Sequence, residues 1–270
     1  MEDVAERAVL RAIEAMRERL GDALTIDDLA RAAMFSKFHF TRIFQRSTGV
    51  SPGRFLSALR LQRAKHLLVS TSMNVADISV QVGYNSVGTF SSRFSRSVGM
   101  PPTAYRRRAG YAAAIQAAAD SPSCRSNARL SCRLRLPEPD ETVIFVGMFA
   151  HQIPEGRPVR CAVLEEPGRV TFDSVPVGTW YLLAQSISLD GAGACAWTDI
   201  ADRPVSVAAY GPFTVRADSE IVADLELRPT RDLDPPVLLA LLDVRKYAME
   251  RLGEARKATR TEFERIAAVA

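Results

Sequence analysis

Basic and hydroxyl side chains that could contact a polyanion occur twice in this chain at the same helical spacing. Residues 35–49 read FSKFHFTRIFQRSTG, and residues 85–99 read NSVGTFSSRFSRSVG. In both stretches aromatic residues recur four apart, as at Phe40 and Phe44 in the first. Because residues three and four apart share one face of a helix, each stretch predicts a helix with one buried aromatic face and one polar face.

The polar face of the first stretch has the chemistry to read a DNA duplex. Its predicted DNA-facing residues are Ser36, Lys37, Phe38, Thr41, Arg42, Gln45 and Arg46. Arginine suits the O6 and N7 atoms of guanine, so Arg42 is the best base-reading candidate. Thr41 and Phe38 can touch a thymine methyl group. Lys37 and Arg46 are expected to hold phosphates, as most basic side chains do at such interfaces.

The polar face of the second stretch has fewer side chains that can hydrogen-bond to bases. Its predicted DNA-facing residues are Ser86, Val87, Gly88, Ser91, Ser92 and Arg96, and we expect Arg93 and Ser95 to be exposed with them. Valine, glycine and serine offer few base-specific hydrogen bonds, so this helix is predicted to recognise phosphates and DNA shape. Ser86 and the N-terminal end of the helix can receive a phosphate.

A duplicated structural unit explains why the pattern occurs twice. When residues 36–52 are aligned with 86–102, the aromatic, serine, glycine and proline positions coincide, and the match extends to Asp27 and Asp77. Each unit reads as a short helix, a tight turn and a second helix. This is the layout of a helix-turn-helix, in which the second helix enters the major groove.

Helical spacing and capping residues predict seven helices in the first 108 residues. They are expected at 5–20, 26–33, 37–47, 52–69, 75–82, 87–97 and from 102 onward. The helix 52–69 would be about 27 Å long at 1.5 Å per residue, with Arg60 and Arg63 on a basic side. It could hold two recognition helices about 34 Å apart, so that one monomer meets two successive major-groove segments.

Charge and periodicity divide the chain into two domains. Residues 1–108 contain 17 Lys and Arg but 9 Asp and Glu, whereas the whole chain has 35 and 31. A polyanion is therefore the natural partner of the first part. From residue 130 onward apolar residues alternate with polar ones, as in half-buried strands. Strands are expected at 130–136, 142–149, 159–164, 169–172, 179–187, 204–210 and 220–227.

These patterns predict a multidomain α and β protein. An all-α domain with two helix-turn-helix units is expected at 1–108, followed by a linker at 109–128. An antiparallel β-sandwich with a sensing or interaction role is expected at 129–270, with C-terminal helices at about 235–268.

The first domain resembles the DNA-binding domain of the AraC/XylS family of bacterial transcription regulators. The stretches that carry the resemblance are DDLARAAMFSKFHFTRIFQRSTGVSPGRFLSALRLQRAKHLL and ADISVQVGYNSVGTFSSRFSRSVGMPPTAYRR. The resemblance implies a regulator of transcription, more often an activator, that works with RNA polymerase. It implies base contact at Phe38, Thr41 and Arg42 in the first unit and at Val87, Gly88, Ser91 and Ser92 in the second. In the family this domain usually comes last, so here the controlling domain is expected at the C-terminus.

The second domain offers weaker signals of a ligand. Residues 170–187 resemble the strand-turn-strand of transthyretin-like (carboxypeptidase-regulatory) β-sandwiches. Possible liners of a pocket for a small-molecule effector are His151, Trp180, Trp197 and Tyr210. Structural packing is the alternative role for these aromatic residues. The domain could also serve homodimerisation through the stretch LLALLDVRKYAMERL.

Other classes of function have less support in the sequence. No nucleophile motif, phosphate loop or metal-ligand spacing is present, so we expect no cofactor and no metal. The longest apolar runs are too short to cross a bilayer, and the expected location is the cytoplasm. Two alternatives remain open. One is a DNA-targeted enzyme such as a thiol-dependent repair methyltransferase, and the other is a non-specific DNA-bending protein.

Overall fold

The computed structural model describes residues 2–108, 126–137, 142–188 and 205–238. Its first part contains the seven predicted helices, with ends within three residues of those expected. They are α1 (Glu2–Glu18), α2 (Ile26–Ala32), α3 (Lys37–Thr48), α4 (Pro52–Ser70), α5 (Val75–Gln81), α6 (Val87–Val98) and α7 (Pro102–Arg107). The two helix-turn-helix units are therefore α2–α3 and α5–α6, joined by α4.

Side-chain caps fix the first helix of each unit. The Asp28 amide donates to the Thr25 hydroxyl (3.2 Å), and the Thr25 amide donates to the Asp28 carboxylate (2.9 Å). The Thr25 hydroxyl also donates to that carboxylate, and this bond is the largest reason why the pKa of Asp28 lies below its usual value. In the second unit the Asp77 amide donates to the Asn74 side chain at 2.8 Å. Both caps satisfy amides that the first helical turn leaves unpaired.

The caps and turns correct the alignment of the two units. Asp28 occupies the position of Asp77, because each follows its cap by three residues, so Asp27 is not the match predicted from the sequence. The left-handed turn residues also differ by 49 positions: Met34 has φ 61° and Gly83 has φ 85°. The turn of the second unit then contains one extra residue. From there on, the recognition helices follow the predicted 50-residue offset.

Each unit is built on a ladder of three aromatic rings. The ladders are Phe40–Phe44–Phe55 and Phe90–Phe94–Tyr105. Neighbouring ring centroids lie 5.4–5.5 Å apart in the first and 5.5–5.6 Å apart in the second. The five phenylalanine rings are fully buried. The interior of the two units is therefore nearly the same.

Helix α4 is buried on most sides instead of having one apolar and one basic side. Residues along its whole length, from Phe55 to Leu68, belong to the helical core. Arg60 does not face solvent as predicted, because its guanidinium donates to the carbonyls of Leu20 (3.0 Å) and Asp22 (2.6 Å) beyond the end of α1. Helix α4 thus lies between the two units and contacts both.

The later part of the described chain forms two packed sheets. Their strands are β1 (Arg129–Arg135), β2 (Thr142–Phe149), β3 (Arg160–Leu164), β4 (Arg169–Phe172), β5 (Gly178–Ser188), β6 (Val205–Val215), β7 (Glu220–Glu226) and β8 (Arg228–Pro229). One sheet has the antiparallel order β3-β2-β5-β6-β8, and the other has the order β4-β1-β7. The pair β1–β7 is parallel, unlike the wholly antiparallel prediction. The two strands are far apart in the chain, so no hairpin dictates their direction.

The two sheets share one hydrophobic core, as a sandwich requires. The smaller sheet contributes Leu130, Cys132, Leu134, Phe172, Ala223 and Leu225, and the larger contributes Ile144, Val146, Met148, Leu182 and Ala184. Because successive residues of a strand point to opposite faces, the odd-numbered residues of β2, such as Phe145, face away from this core. Those residues are nevertheless buried.

The segment after β8 packs against the helices. Leu233 and Leu238 belong to the helical core, and Arg17 pairs with Asp232 at 2.8 Å. The predicted C-terminal helices begin at about residue 235, but residues 235–238 are not helical, and 239–270 lie outside the described residues. Most of the predicted linker, 109–125, also lies outside them.

Candidate nucleic-acid interface

Helix α3 presents its predicted DNA-facing residues on one side. Phe40 and Phe44 are fully buried, and their packing fixes the rotation of the helix about its axis. Phe38, near the N-terminus of the helix, is 80% exposed although it is a large apolar residue. All the predicted residues are exposed except Thr41, which is partly exposed: Ser36, Lys37, Phe38, Thr41, Arg42, Gln45 and Arg46.

The charges on this face differ in how strongly they are held. Lys37 pairs with Asp27 at 2.9 Å, and both side chains are largely exposed. The Thr41 hydroxyl donates to the Lys37 carbonyl at 2.9 Å. Arg42 and Arg46 are exposed and form no ion pair with another residue in the described ranges. These two guanidinium groups are therefore free to contact DNA.

Helix α6 presents a face of small residues at the positions that match the exposed face of α3. Phe90 and Phe94 are buried beneath it. The Ser86 hydroxyl accepts a hydrogen bond from the Thr89 amide (3.1 Å) and caps the helix. A methyl group built onto Gly88 would have no atom within 4 Å, so the surface there is open. Ser86, Val87, Gly88, Ser92 and Arg96 are exposed, and Ser91 is partly exposed.

Arg93 is not on this exposed face, in contrast to the prediction from sequence. Its side chain is 26% exposed and contacts Glu155 of the sandwich at 3.4 Å. Its Nε donates to the Ser57 hydroxyl on α4 at 3.3 Å. Ser95 is likewise only partly exposed, and its hydroxyl donates to the Ser91 carbonyl at 2.7 Å. The only guanidinium left exposed on α6 among the described residues is that of Arg96.

Glu155 is a functional candidate that the sequence analysis missed. It lies in the loop between β2 and β3 and accepts hydrogen bonds from Arg54 (2.7 Å) and Ser97 (2.8 Å). A single acidic residue in a loop gives no periodic signal, and its partners are at least 58 positions away. No pattern in the sequence could have identified the contact.

Of the described residues predicted to line an effector pocket, two pack against the sandwich core and one lies in a loop. Trp180 packs against the sandwich core and donates to the Pro176 carbonyl at 2.8 Å. Tyr210 packs against the same core and stacks on Phe213. His151 lies in the β2–β3 loop, and burial together with the charge of Arg54 lowers its pKa. Trp197 lies outside the described residues.

Two cavities lie between the helices and the sandwich. One of about 310 Å³ lies between the end of α3 at Gly49 and the outer face of the larger sheet, at Leu183 and Gln185. The other, of about 370 Å³, has His151 and Tyr181 in its wall together with Gln45 of α3. The Oε1 atom of Gln185 is buried and has no hydrogen-bond partner in the described structure. Cavities of this size can hold a small molecule.

The described thiols do not support the enzyme alternative. Cys132 is buried in the sandwich core, where burial and then the charge of Asp224 raise its pKa to about 12. Its thiol is therefore protonated at neutral pH and a poor nucleophile. Cys161 is partly buried on β3, whereas Cys195 lies outside the described residues. No group of His, Cys, Asp and Glu in the described ranges could hold a metal ion.

The described part of the chain contains no helix that could span a membrane. None of its helices combines the length and the apolar character that a bilayer span needs.

Comparison with known proteins assigns the helical part to a recognised domain type. Residues 29–108 match the family model described as a helix-turn-helix domain. An uncharacterized HTH-type transcriptional regulator of Bacillus subtilis, YbfP, is 34% identical over 101 residues, which are 37% of this chain and 34% of that protein. The lactose operon transcription activator of Staphylococcus xylosus is 28% identical over 104 residues, which are 38% of this chain and 37% of that protein.

These similarities each cover less than two fifths of this chain. The chain spans about a third of the length of these relatives. A solved AraC-type regulator from Chromobacterium violaceum shares 27% identity and covers 38% of this chain and 93% of that chain, with a TM-score of 0.37. The resemblance predicted for the first part of the sequence is thus confirmed over residues 29–108. The transthyretin-like resemblance of 170–187 stays a prediction, although these residues do form β4, a turn and β5.

Proposed function

We propose that this protein is a sequence-specific regulator of transcription, acting as an activator through RNA polymerase, because residues 29–108 match a helix-turn-helix domain. The observation that carries the proposal is the exposed face of α3, where Arg42 and Arg46 are free of ion pairs with described residues. Relatives that share the domain include a transcription activator. We expect it to act in the cytoplasm.

The two recognition helices have different roles in this proposal. Arg42 reads a guanine, and Thr41 and Phe38 contact thymine methyl groups, since all three are at least partly exposed. Arg46 and Lys37 hold phosphates, and Lys37 must first leave Asp27. In the second unit the small side chains let the backbone of α6 approach the groove closely.

The phosphate contacts of the second unit come from few groups. Ser86 and the amides at the start of α6 bind one phosphate, and Arg96 binds another. Val87, Gly88, Ser91 and Ser92 follow the shape of the groove. A monomer thereby covers two successive major-groove segments, with most of the sequence information in the first.

In this proposal residues 1–108 form the DNA-binding domain, and the β-sandwich at 129–270 controls its activity. Two cavities between the domains, one of them next to Gln45 on α3, support a small-molecule effector. His151 borders one of them, whereas Trp180 and Tyr210 support the sandwich core. A homodimer would add a second pair of recognition helices.

Selection from a random duplex pool tests the proposal on the full chain. We expect a consensus of two segments about 10 base pairs apart, stronger in one segment than in the other. Binding should weaken steeply as salt rises, because phosphate contacts release counterions. Arg133→Ala, which removes an exposed positive charge from β1, is the control and should bind as wild type does. Recovery of bound DNA without any consensus would instead indicate a DNA-bending protein.

A further inference from the structure

The loop between β2 and β3 enters the helical domain where its two units meet. Ile153 in this loop is fully buried and belongs to the core of the helices, not to that of the sandwich. Gln152 lies against Gly49, so that any side chain at Gly49 would collide with it. The Gly156 amide donates to the Ser97 carbonyl at 2.9 Å. The loop is thus anchored at the end of α3 and at the end of α6.

Glu155 makes the charged contacts of this loop. One carboxylate oxygen accepts from Arg54 at 2.7 Å, and the other accepts from Ser97 at 2.8 Å and from Arg93 at 3.4 Å. Its side chain is only 12% exposed. Burying a carboxylate to this extent costs free energy unless charged partners and hydrogen bonds surround it, as they do here.

The partners of Glu155 lie at the start of the connecting helix α4 and in the second unit. Arg54 is in the first turn of α4, directly after the first recognition helix. Arg93 and Ser97 are in α6, the second recognition helix. One carboxylate therefore joins the N-terminal end of α4, next to the first recognition helix, to the second recognition helix. At the position of Arg93 the first unit has Ile43, which packs against the helical core, so the first recognition helix has no such charged contact.

We infer that Glu155 is a positioning residue that holds α6 in a fixed place relative to the first unit, so that the sandwich sets the spacing at which the two recognition helices meet DNA. This inference rests on the proposed function. Without the carboxylate, the guanidinium groups of Arg54 and Arg93 would face each other as like charges in a half-buried site. They would separate, and α6 would lose its fixed place.

The ionisation of Glu155 fits this role. Burial opposes ionisation, but the hydrogen bond from Ser97 and the charges of Arg93 and Arg54 outweigh it, and the pKa of Glu155 is below its usual value. The carboxylate is therefore charged at neutral pH. His151, on the same loop, is kept neutral there because its pKa is lowered.

Spacing-dependent DNA binding by the full chain tests the inference. The duplexes carry the two selected segments at their preferred spacing and with one or two base pairs inserted or removed. We expect wild type to prefer one spacing at least tenfold and Glu155→Gln to discriminate less than threefold, with unchanged affinity for the first segment alone. Arg93→Gln should behave like Glu155→Gln. Glu166→Gln, which removes an exposed carboxylate from the β3–β4 turn, should behave like wild type.

Two results would overturn the inference. One is an unchanged spacing preference in Glu155→Gln. The other is an equal gain in affinity for every duplex, which would mean that Glu155 only competes with phosphates for the arginines.

Hydrogen exchange of the full chain without DNA separates this inference from the proposed function. In Glu155→Gln, amides of residues 93–98 should exchange at least tenfold faster, while those of 37–48 in α3 stay unchanged. Unchanged exchange in α6 would overturn the positioning role even if DNA is bound. Failure of wild type to bind any duplex would overturn the proposed function, while the exchange result would still show whether Glu155 fixes α6.

Discussion

The two helix-turn-helix units have nearly the same interior and very different surfaces. Both contain a capped first helix, a left-handed turn and a ladder of three buried rings. On the surface, the first unit has Phe38 and Arg42 where the second has Gly88 and Ser92. The comparison teaches that packing constrains only one side of each recognition helix. The other side is free to differ, and the proposed division between base reading and backbone holding follows from that difference.

The second difference concerns attachment to the sandwich. Ile43 packs against the core of the first unit, whereas Arg93 at the matching position contacts Glu155. A charged contact therefore attaches the second recognition helix to the β2–β3 loop, the proposed point of control. The second unit, which is proposed to read fewer bases, is thus the one whose position depends more on the sandwich.

The largest effects should come from the two aromatic ladders, and they should be equal. Phe44→Ala and Phe94→Ala each empty a fully buried site and should lower the free energy of unfolding by about 3–5 kcal/mol. Denaturant unfolding of the full chain measures both losses. A difference of more than about 2 kcal/mol between them would show that the two interiors are not equivalent.

Removal of Glu155 should show how strongly the second unit depends on the sandwich. Glu155→Gln should lower the free energy of unfolding by about 1–3 kcal/mol at pH 7, because charge-assisted hydrogen bonds are lost. A carboxyl group whose pKa is lowered by folding stabilises the protein above its unfolded pKa, and this stability is lost as pH falls through the folded pKa.

The difference in the free energy of unfolding between wild type and Glu155→Gln should therefore be largest near neutral pH and disappear in acid. Urea unfolding between pH 7 and pH 3 measures it. The charged and titratable groups that face Glu155 are Arg54 on α4, Arg93 on α6 and His151 on its own loop. A difference that grows in acid would contradict this sign.

Substitutions in the turns of the two units should change the free energy of unfolding in opposite directions. Met34 has a left-handed conformation and an 80% exposed side chain, so Met34→Gly should raise the free energy of unfolding by about 1 kcal/mol. Gly83→Ala should lower it, because the new methyl group would meet Arg60 and the Leu20 carbonyl. Thermal unfolding distinguishes the two, and a destabilised Met34→Gly would refute the reason given.

The smallest effect is expected on the open surface of α6. Gly88→Ala introduces a methyl group that meets no atom and should stabilise the helix by about 0.5–1 kcal/mol. The selected DNA consensus should not change, because this position is proposed to follow groove shape. A new base preference after this substitution would mean that α6 reads bases directly.

Local sequence patterns were sufficient to predict the helices and most strands. Caps such as Thr25 and Asn74 and the four-residue spacing of phenylalanines act over a single helix, so they can be read without the fold. The strands β2 and β4 were predicted with the bounds observed. The proposed end of β6 at Tyr210 was too early, since the strand continues through Pro212 to Val215.

Long-range contacts were beyond the reach of such patterns. The sequence predicts exposed positions for Arg60 and Arg93, because each lies on the polar side of its helix. Their actual partners, the Leu20 carbonyl and Glu155, lie 40 and 62 positions away. The parallel pairing of β1 with β7 has the same origin. Which residue faces DNA and which faces another domain is decided by tertiary packing.

The central claim, that the first unit reads bases and the second holds the backbone, is tested most directly by comparing two arginine variants. Binding of the full chain with Arg42→Ala and with Arg96→Ala is measured on the selected site and on sites with single base changes. Arg42→Ala should lose about 1–3 kcal/mol of discrimination at one base pair of the first segment. Arg96→Ala should weaken binding to all sites alike and lower the salt dependence by about one phosphate contact. Equal losses on matched and mismatched sites in both variants would contradict the claim.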